Sequence, residues 1–564
     1  MFNRRMFAQS IKILAILVAA ALAMPLQPAA AQDITRGTTT GQTTAKGFDH
    51  PNQFLHMQPK QIADNMEPVI PHPDQEKDAR QKLANLEKRF GKKPNILIFL
   101  MDDVGWMDPG FNGGGVAVGN PTPTMDKLAQ GGLILTSGYS TPSCTPTRAS
   151  IHTGQNPLHH GLLFPPMYGQ PGGLEGAVTI ANILGTLGYY TQGVGKWHMG
   201  ENDASQPQNV GYDDYYGFLS VSDMYTEWRD VYFNPEIALS PSRFAMIQHM
   251  PFNHNNVHCV KGKSGCGNTY ELNLTTIKDL DQDWAAYSET FIHRMAKGKQ
   301  PWFLYHATRG CHFDNYPNDK YAGRSPARTV YSDCIVEMDD VLARLVKALE
   351  DSGQLENTLV FLSSDNGAEC EVPPHGRSPF RGCKGSTWEG GVRVPTFAYW
   401  KGMITPRRSD GLFDLQDLFN TSTSIAGAPG AEVARFVPKN QYIDGIDQLS
   451  FLVADNGESN RRSRIYTLLQ YPSAVRIDEF KWHATVELER AIFPRGYQGG
   501  FSGTIVPQTG GGTMVNLYTD PQEDVSIGIR HPPVLSVLQA EAVRYQAVLK
   551  KYPPSSKMAI ELQK

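Results

Sequence analysis

The stretch "KPNILIFLMDDVGW" occupies residues 93–106, and the fold follows from how it is read. Asn95 to Met101 is a short, nearly continuous apolar run, the pattern of a strand covered on both faces. Three runs of the same kind follow: "YYTQGVGKWHMG" (189–200), "PWFLYHATRGCHF" (301–313) and "NTLVFLSSDNGAE" (357–369). Between the last two, Ser325-Pro326 predicts a helix start, with Ile335, Met338, Val341, Leu342, Leu345 and Leu349 on its apolar face. Strands alternating with helices predict an α/β fold on a mostly parallel sheet.

Each of these strands ends in residues capable of chemistry. They are Asp102 and Asp103, Lys196 with His198, His312, and Asp365 with Asn366. Open α/β sheets bind ligands in the crevice beyond the carboxyl ends of their strands. Taken singly, an Asp pair is more often a turn or cap, and a lone His a structural hydrogen bonder. Four such endings together predict one polar site at one sheet edge.

Outward from this core the chain changes character. Residues 1–31 read as an export signal: Arg4, Arg5 and Lys12 precede the apolar stretch from Ile13 to Met24, and Ala29 to Ala31 offer a cleavage site. "NRRMFA" is similar to a twin-arginine signal, so the expected location is the periplasm or the medium. Residues 32–92 are polar, with one surface helix over "PDQEKDARQKLANLEKRFG", and residues 93–440 form the main domain. Within 441–564, "SRIYTLLQYP", "SAVRIDEFKWHATVE" and "MVNLYTDPQED" predict a small antiparallel sheet, on which the helix "PVLSVLQAEAVRYQAVLKKY" packs. The 564 residues are 40% hydrophobic with a net charge of −4, and no charged block suits nucleic acid or a membrane surface.

Seven cysteines leave at least one unpaired in an oxidising compartment. The loops 259–266 and 370–383 are short enough to close locally. Cys144 stands in "STPSCTPTRASIHTGQ" (140–155), where Pro146 suits a first helical turn. A thiol at a helix N-terminus is expected to have a lowered pKa, with Arg148 one turn along pointing back at it. An ordinary half-disulfide beside a helix start is the plainer alternative.

"CTPTRASIHTG" (144–154) resembles the signature of type I sulfatases, with Cys144, Pro146, Thr147, Arg148, Thr153 and Gly154 all in place. The resemblance runs from residue 94 to about 525 through "NILIFLMDDVGW", "GKWHMG", "GCHF", "SSDNG", "CKGSTWEGGVRVP" and "NLYTDPQED". It implies a bacterial arylsulfatase on the alkaline-phosphatase-like α/β/α sandwich. It further implies that Cys144 is oxidised by a formylglycine-generating enzyme to Cα-formylglycine, whose hydrate is the nucleophile, leaving six cysteines to pair. Arg148, Lys196 and Lys384 would then stabilise negative charge. His198 would be the base that expels sulfate, and His312 with Lys384 would serve the leaving group. Asp102, Asp103, Asp365 and Asn366 would join residue 144 around a metal; their oxygen donors suit a hard cation, by resemblance Ca²⁺ with Mg²⁺ possible.

The sequence departs from the family in the residues after His312, where Phe313 and Asp314 stand and Pro is common, and in Cys311, which is a candidate for a bridge. A phosphomonoester or phosphonate hydrolase on the same scaffold is the nearest alternative, and Asn366 leans away from it. A non-catalytic binder of sulfated glycans is disfavoured by the full set of nucleophile, base and acid. The aromatic-rich segment 210–233 and the glycine-rich segment 495–513 are candidates to contact a substrate ring or overhang the site.

Overall fold

The computed structural model describes residues 59–164, 166, 170–221, 239–247, 254–370, 373–469, 471–488, 504–508 and 511–554. The export signal, most of the glycine-rich segment and the second half of the aromatic-rich one lie outside them. No helix among the described residues is long and apolar enough to cross a membrane.

The strand Asn95–Met101 is buried along its whole length. Ile96, Ile98 and Leu100 point into one core, and Leu97, Phe99 and Met101 into another. An apolar run covered on both faces requires this alternation, because successive strand side chains leave opposite faces of the sheet. The sheet has ten strands, in the order Arg407–Ser409, Leu133–Leu135, Phe397–Tyr399, Thr358–Ser364, Asn95–Met101, Trp302–Ala307, Tyr190–Lys196, Asp214–Phe218, Asn255–Val260 and Gly267–Glu271. From Thr358–Ser364 to Asp214–Phe218 every pairing is parallel. Strands beyond them on either side pair antiparallel, apart from the parallel outermost pair Arg407–Ser409 and Leu133–Leu135. The fold is the alkaline-phosphatase-like α/β/α sandwich.

Helices cover both faces. Leu280–Met295 and Val330–Asp351 pack on one, and Cys144–Thr153, Ile180–Thr186, Asp417–Ile425 and Pro73–Phe90 on the other. The Val330–Asp351 helix begins later than Ser325-Pro326 predicts. Arg328 has φ of 52°, a left-handed value that interrupts a helix, and the Thr329 side chain caps by accepting from the Ser332 amide. Ile443, Leu449 and Phe451 to Val453 still pack in the main core. The small antiparallel sheet follows, in the order Ser463–Leu468, Tyr471–Ile477, Phe480–His483, Thr513–Asn516. Val475 and Met514 of this sheet meet Leu538, Ala542 and Tyr545 of the helix Pro532–Lys551.

Disulfides close 259–266 and 370–383. The expectation of six paired cysteines is corrected: Cys311 and Cys334 are free thiols, as is Cys144. Both lie fully within the apolar core beside Met338 and Ile335, where a thiol behaves as a small hydrophobic group.

Candidate active site

The helix Cys144–Thr153 delivers the signature to the carboxyl end of the sheet. Ser143 is extended (φ −152°, ψ 168°) and Cys144 is the first helical residue, with Pro146 in the first turn, where its missing N–H is no loss. The Thr147 hydroxyl accepts from the Thr141 amide at 2.9 Å, pinning the approach. Gly154 ends the helix at φ 65°, and a Cβ there would lie 2.6 Å from the Phe419 ring. That contact and the left-handed turn give the signature glycine a physical reason.

Around Cys144 the strand ends bring the expected residues together. Lys196 Nζ donates to Asp102 Oδ2 at 2.7 Å, and Lys384 Nζ to Asp103 Oδ2 at 2.8 Å. Arg148 forks onto Asp365 Oδ2 through Nη2 at 2.7 Å and Nε at 3.1 Å, and its Nη2 lies 3.6 Å from Asp102. Three cations thus face three carboxylates, all nearly inaccessible to solvent, so each charge is compensated where an unpaired one would be very costly. Gly195 permits the Lys196 strand to approach its neighbour: a Cβ there would lie 1.8 Å from the Ala307 carbonyl oxygen.

Ligand atoms of Asp102, Asp103, Cys144 and His312 all lie within 4.8 Å of one another. Asp365 adjoins this group through its Oδ1, which accepts from the Asp103 amide at 3.3 Å, and Asn366 contacts Asp103 Oδ1. Asp102 Oδ1 and Asn366 Oδ1 are buried acceptors that receive no donor. Bare buried oxygens amid carboxylates fit a hard cation.

Of the non-glycine residues, Asp103 (φ 58°) and His198 (φ 59°) are among the few in the left-handed region, and both stand at this site. Such backbone costs on the order of 1–3 kcal/mol and is kept where the surroundings enforce it. The Thr145 hydroxyl donates to the His198 carbonyl at 2.8 Å, and the His198 amide donates to the Leu219 carbonyl at 3.0 Å. Neither ring nitrogen of His198 has a hydrogen-bond partner. Burial, then the charges of Lys196, Arg148 and Lys384, hold this ring far below the usual imidazole pKa. It is neutral, with a free lone pair.

His312 sits differently. Lys384 Nζ lies 3.2 Å from its Nε2, and its Nδ1 contacts the Phe313 carbonyl. An ammonium only donates, so Nε2 accepts and the proton is on Nδ1, facing the carbonyl. Burial and then Lys384 lower this pKa also.

The expected lowering of the Cys144 thiol is corrected. Burial raises its pKa well above the ordinary value, outweighing the opposing pull of Lys196 and Lys384. A helix terminus supplies at most about 2 kcal/mol, whereas full desolvation shifts a group by up to roughly 3–5 units. Tyr305 escaped the sequence reading. Its hydroxyl lies 3.4 Å from Arg148 Nη1, but within the apolar run "WFLYHA" nothing separates it from a core residue.

A family model described as Sulfatase matches residues 94–428, and one described as the putative sulfatase AslA C-terminal domain matches 473–550. The chain is 31% identical over 409 residues to the N-acetylgalactosamine-6-sulfatase of Canis lupus familiaris, covering 69% of this chain and 71% of that protein. It is 32% identical over 395 residues to arylsulfatase A of Homo sapiens, covering 68% of this chain and 72% of that protein. The crystal structure of the PsFucS1 sulfatase from Pseudoalteromonas sp. has a TM-score of 0.84 and 38% identity to it, covering 88% of this chain and 98% of that one.

Proposed function

Because this chain belongs to the sulfatase family and is a sulfuric ester hydrolase, we propose that it cleaves aryl or carbohydrate sulfate esters with residue 144 in its formylglycine form. The observation that carries this reading is the buried set of Arg148, Lys196 and Lys384 around Cys144, with the bare His198 ring beside it. Conversion requires a formylglycine-generating enzyme. The aldehyde hydrate supplies an oxygen nucleophile and a second hydroxyl through which sulfate is released.

A divalent cation, Ca²⁺ or Mg²⁺, would be held by Asp102, Asp103, Asp365, Asn366 and residue 144. When bound it supplies positive charge to the nucleophile and the sulfate oxygens. Arg148, Lys196 and Lys384 add fixed charge where the sulfuryl group becomes more negative. Lys384 carries a proton against His312 Nε2, and this pair serves the departing oxygen. His198, neutral and unengaged, takes the proton whose removal expels sulfate. The basic N-terminus followed by an apolar stretch supports export to the periplasm or medium, and "NRRMFA" supports the twin-arginine route.

Protein co-expressed with a formylglycine-generating enzyme should hydrolyse nitrophenyl sulfate and show an aldehyde or its hydrate at residue 144 by mass spectrometry. Cys144→Ala should fold and be inactive. Full activity with an unmodified thiol would refute the proposal. In the same preparation, elemental analysis should find Ca²⁺ or Mg²⁺; stoichiometric zinc with neither ion would refute the metal assignment.

A further inference from the structure

Lys384 is held from two directions. On one side its own amide donates to the Ala368 carbonyl at 2.9 Å, and the next amide, of Gly385, to the Pro142 carbonyl at 2.6 Å. The other side of its loop, Thr387 to Glu389, is gripped by the small C-terminal sheet. Lys481 Nζ donates to the Thr387 carbonyl at 2.7 Å and to Glu389 Oε1 at 3.0 Å. The Glu389 amide donates to Glu523 Oε2 at 2.7 Å, while Glu523 Oε1 lies 2.9 Å from Lys481 Nζ and 2.8 Å from His483 Nε2. Between them the Trp388 ring packs against His483 at a tilt of 39°, with centroids 4.5 Å apart.

Lys481, Glu389 and His483 are wholly buried and Glu523 is 1% exposed, so this contact is sealed from bulk solvent. A buried ion pair is weak evidence for stability, since apolar residues of similar volume often serve as well. What apolar residues could not do is fix a loop by its backbone, and here one carbonyl and one amide within five residues of Lys384 are bound by charged groups. The network also reaches the nucleophile side, because Glu389 Oε2 accepts from the Tyr139 hydroxyl at 2.5 Å on the segment leading to Cys144.

We infer that Lys481 and Glu523 are positioning residues for the reaction: they set the Lys384 ammonium at the leaving-group oxygen without touching substrate. The inference rests on the proposed role of Lys384. Proton donation depends on hydrogen-bond reach, and small misplacements of a reacting group cost large factors in rate. The loss therefore falls on esters whose alcohol departs poorly.

The test compares kcat at saturating alkyl sulfate and nitrophenyl sulfate for the formylglycine-bearing enzyme. The variants are Glu523→Gln and the double variant Lys481→Met/Glu523→Gln, the second removing Lys481 with one of its two carboxylate partners while Glu389 keeps Arg393 at 3.5 Å. Near-ultraviolet circular dichroism identifies folded protein. At least one folded variant should lose about 10-fold more on the alkyl ester than on the nitrophenyl ester. In a Lys384→Ala background the same changes should add no further selectivity. Equal losses on both esters, or selectivity that persists without Lys384, would overturn the inference while leaving the proposed function standing. A Lys384→Ala enzyme with no leaving-group selectivity of its own would overturn the inference together with the role proposed for Lys384, while failure of every variant to fold would overturn the inference alone by making the network purely structural.

Discussion

His198 and His312 carry the same ring in opposite hydrogen-bonding states, and their proposed roles follow from that difference. The ring of His198 is bare at both nitrogens, while Nε2 of His312 already receives the Lys384 ammonium. A good leaving group such as nitrophenolate departs without a proton, whereas an alkoxide does not. His312→Ala should thus lose about 100-fold or more on an alkyl or sugar sulfate and far less on nitrophenyl sulfate, as steady-state rates will show. His198→Ala should slow both esters to a common rate and release a burst of phenol equal to the enzyme present. Equal losses for His312→Ala, with no burst from His198→Ala, would reverse the assignment. Both histidines were visible in sequence because each follows a strand end. The Cys144 thiol state was not, since a local motif carries the helix terminus but not the depth of burial.

Among the elements, strands were the most legible. Apolar runs located Asn95–Met101, Tyr190–Lys196, Trp302–Ala307 and Thr358–Ser364, because burial on both faces leaves a continuous signal. Alternation in the C-terminal segment shows two faces but not which one is covered, and nothing local marks Lys481 and His483 as buried. The helix Val330–Asp351 was found by its apolar face and missed at its start. There the Asp333 carboxylate accepts from the Gly323 and Ser325 amides at 2.7 and 2.8 Å, binding the preceding loop to the first turn. The same helix carries a second buried acid, Glu337, which accepts from the Asn318 amide at 2.9 Å. Burial, with Asp281 nearby, raises its pKa from 4.5 to about 8. The unfolded chain therefore releases this proton near pH 4.5 while the folded protein holds it to about pH 8, so stability falls as pH rises through that window. Glu337→Gln keeps an acceptor for Asn318 and removes the ionisation. In urea titrations its stability relative to wild type should climb across the window, by up to about 1.4 kcal/mol per pH unit. A pH-independent difference would contradict the assignment.

For the whole molecule, the α/β class could be read from strand and helix alternation, while the sandwich itself came from the family resemblance. The long-range support of the site could not be read at all. Lys384 depends on Glu389, Lys481, His483 and Glu523, separated by up to 134 residues in one hydrogen bond, and no local pattern pairs them. The small sheet thus braces the loop that carries Lys384. The burial of Cys144, only 4% exposed, also bears on the order of events in the life of the chain. An enzyme must enclose the cysteine and its flanking residues to oxidise it, and here Thr145, Pro146, Thr147 and Arg148 are all buried as well. If residue 144 works as the proposed formylglycine, its conversion would belong to the nascent or unfolded chain, and a molecule that folds first would be committed to inactivity. Incubated with the modifying enzyme, native unmodified protein should remain a thiol, and urea-unfolded chain or a short peptide spanning 140–155 should be converted. Equal conversion of the native protein would mean that the site opens on its own. On that reading folding would act as a deadline, the fraction of active molecules being decided by a race between the modifying enzyme and the closing of the sheet edge over residue 144.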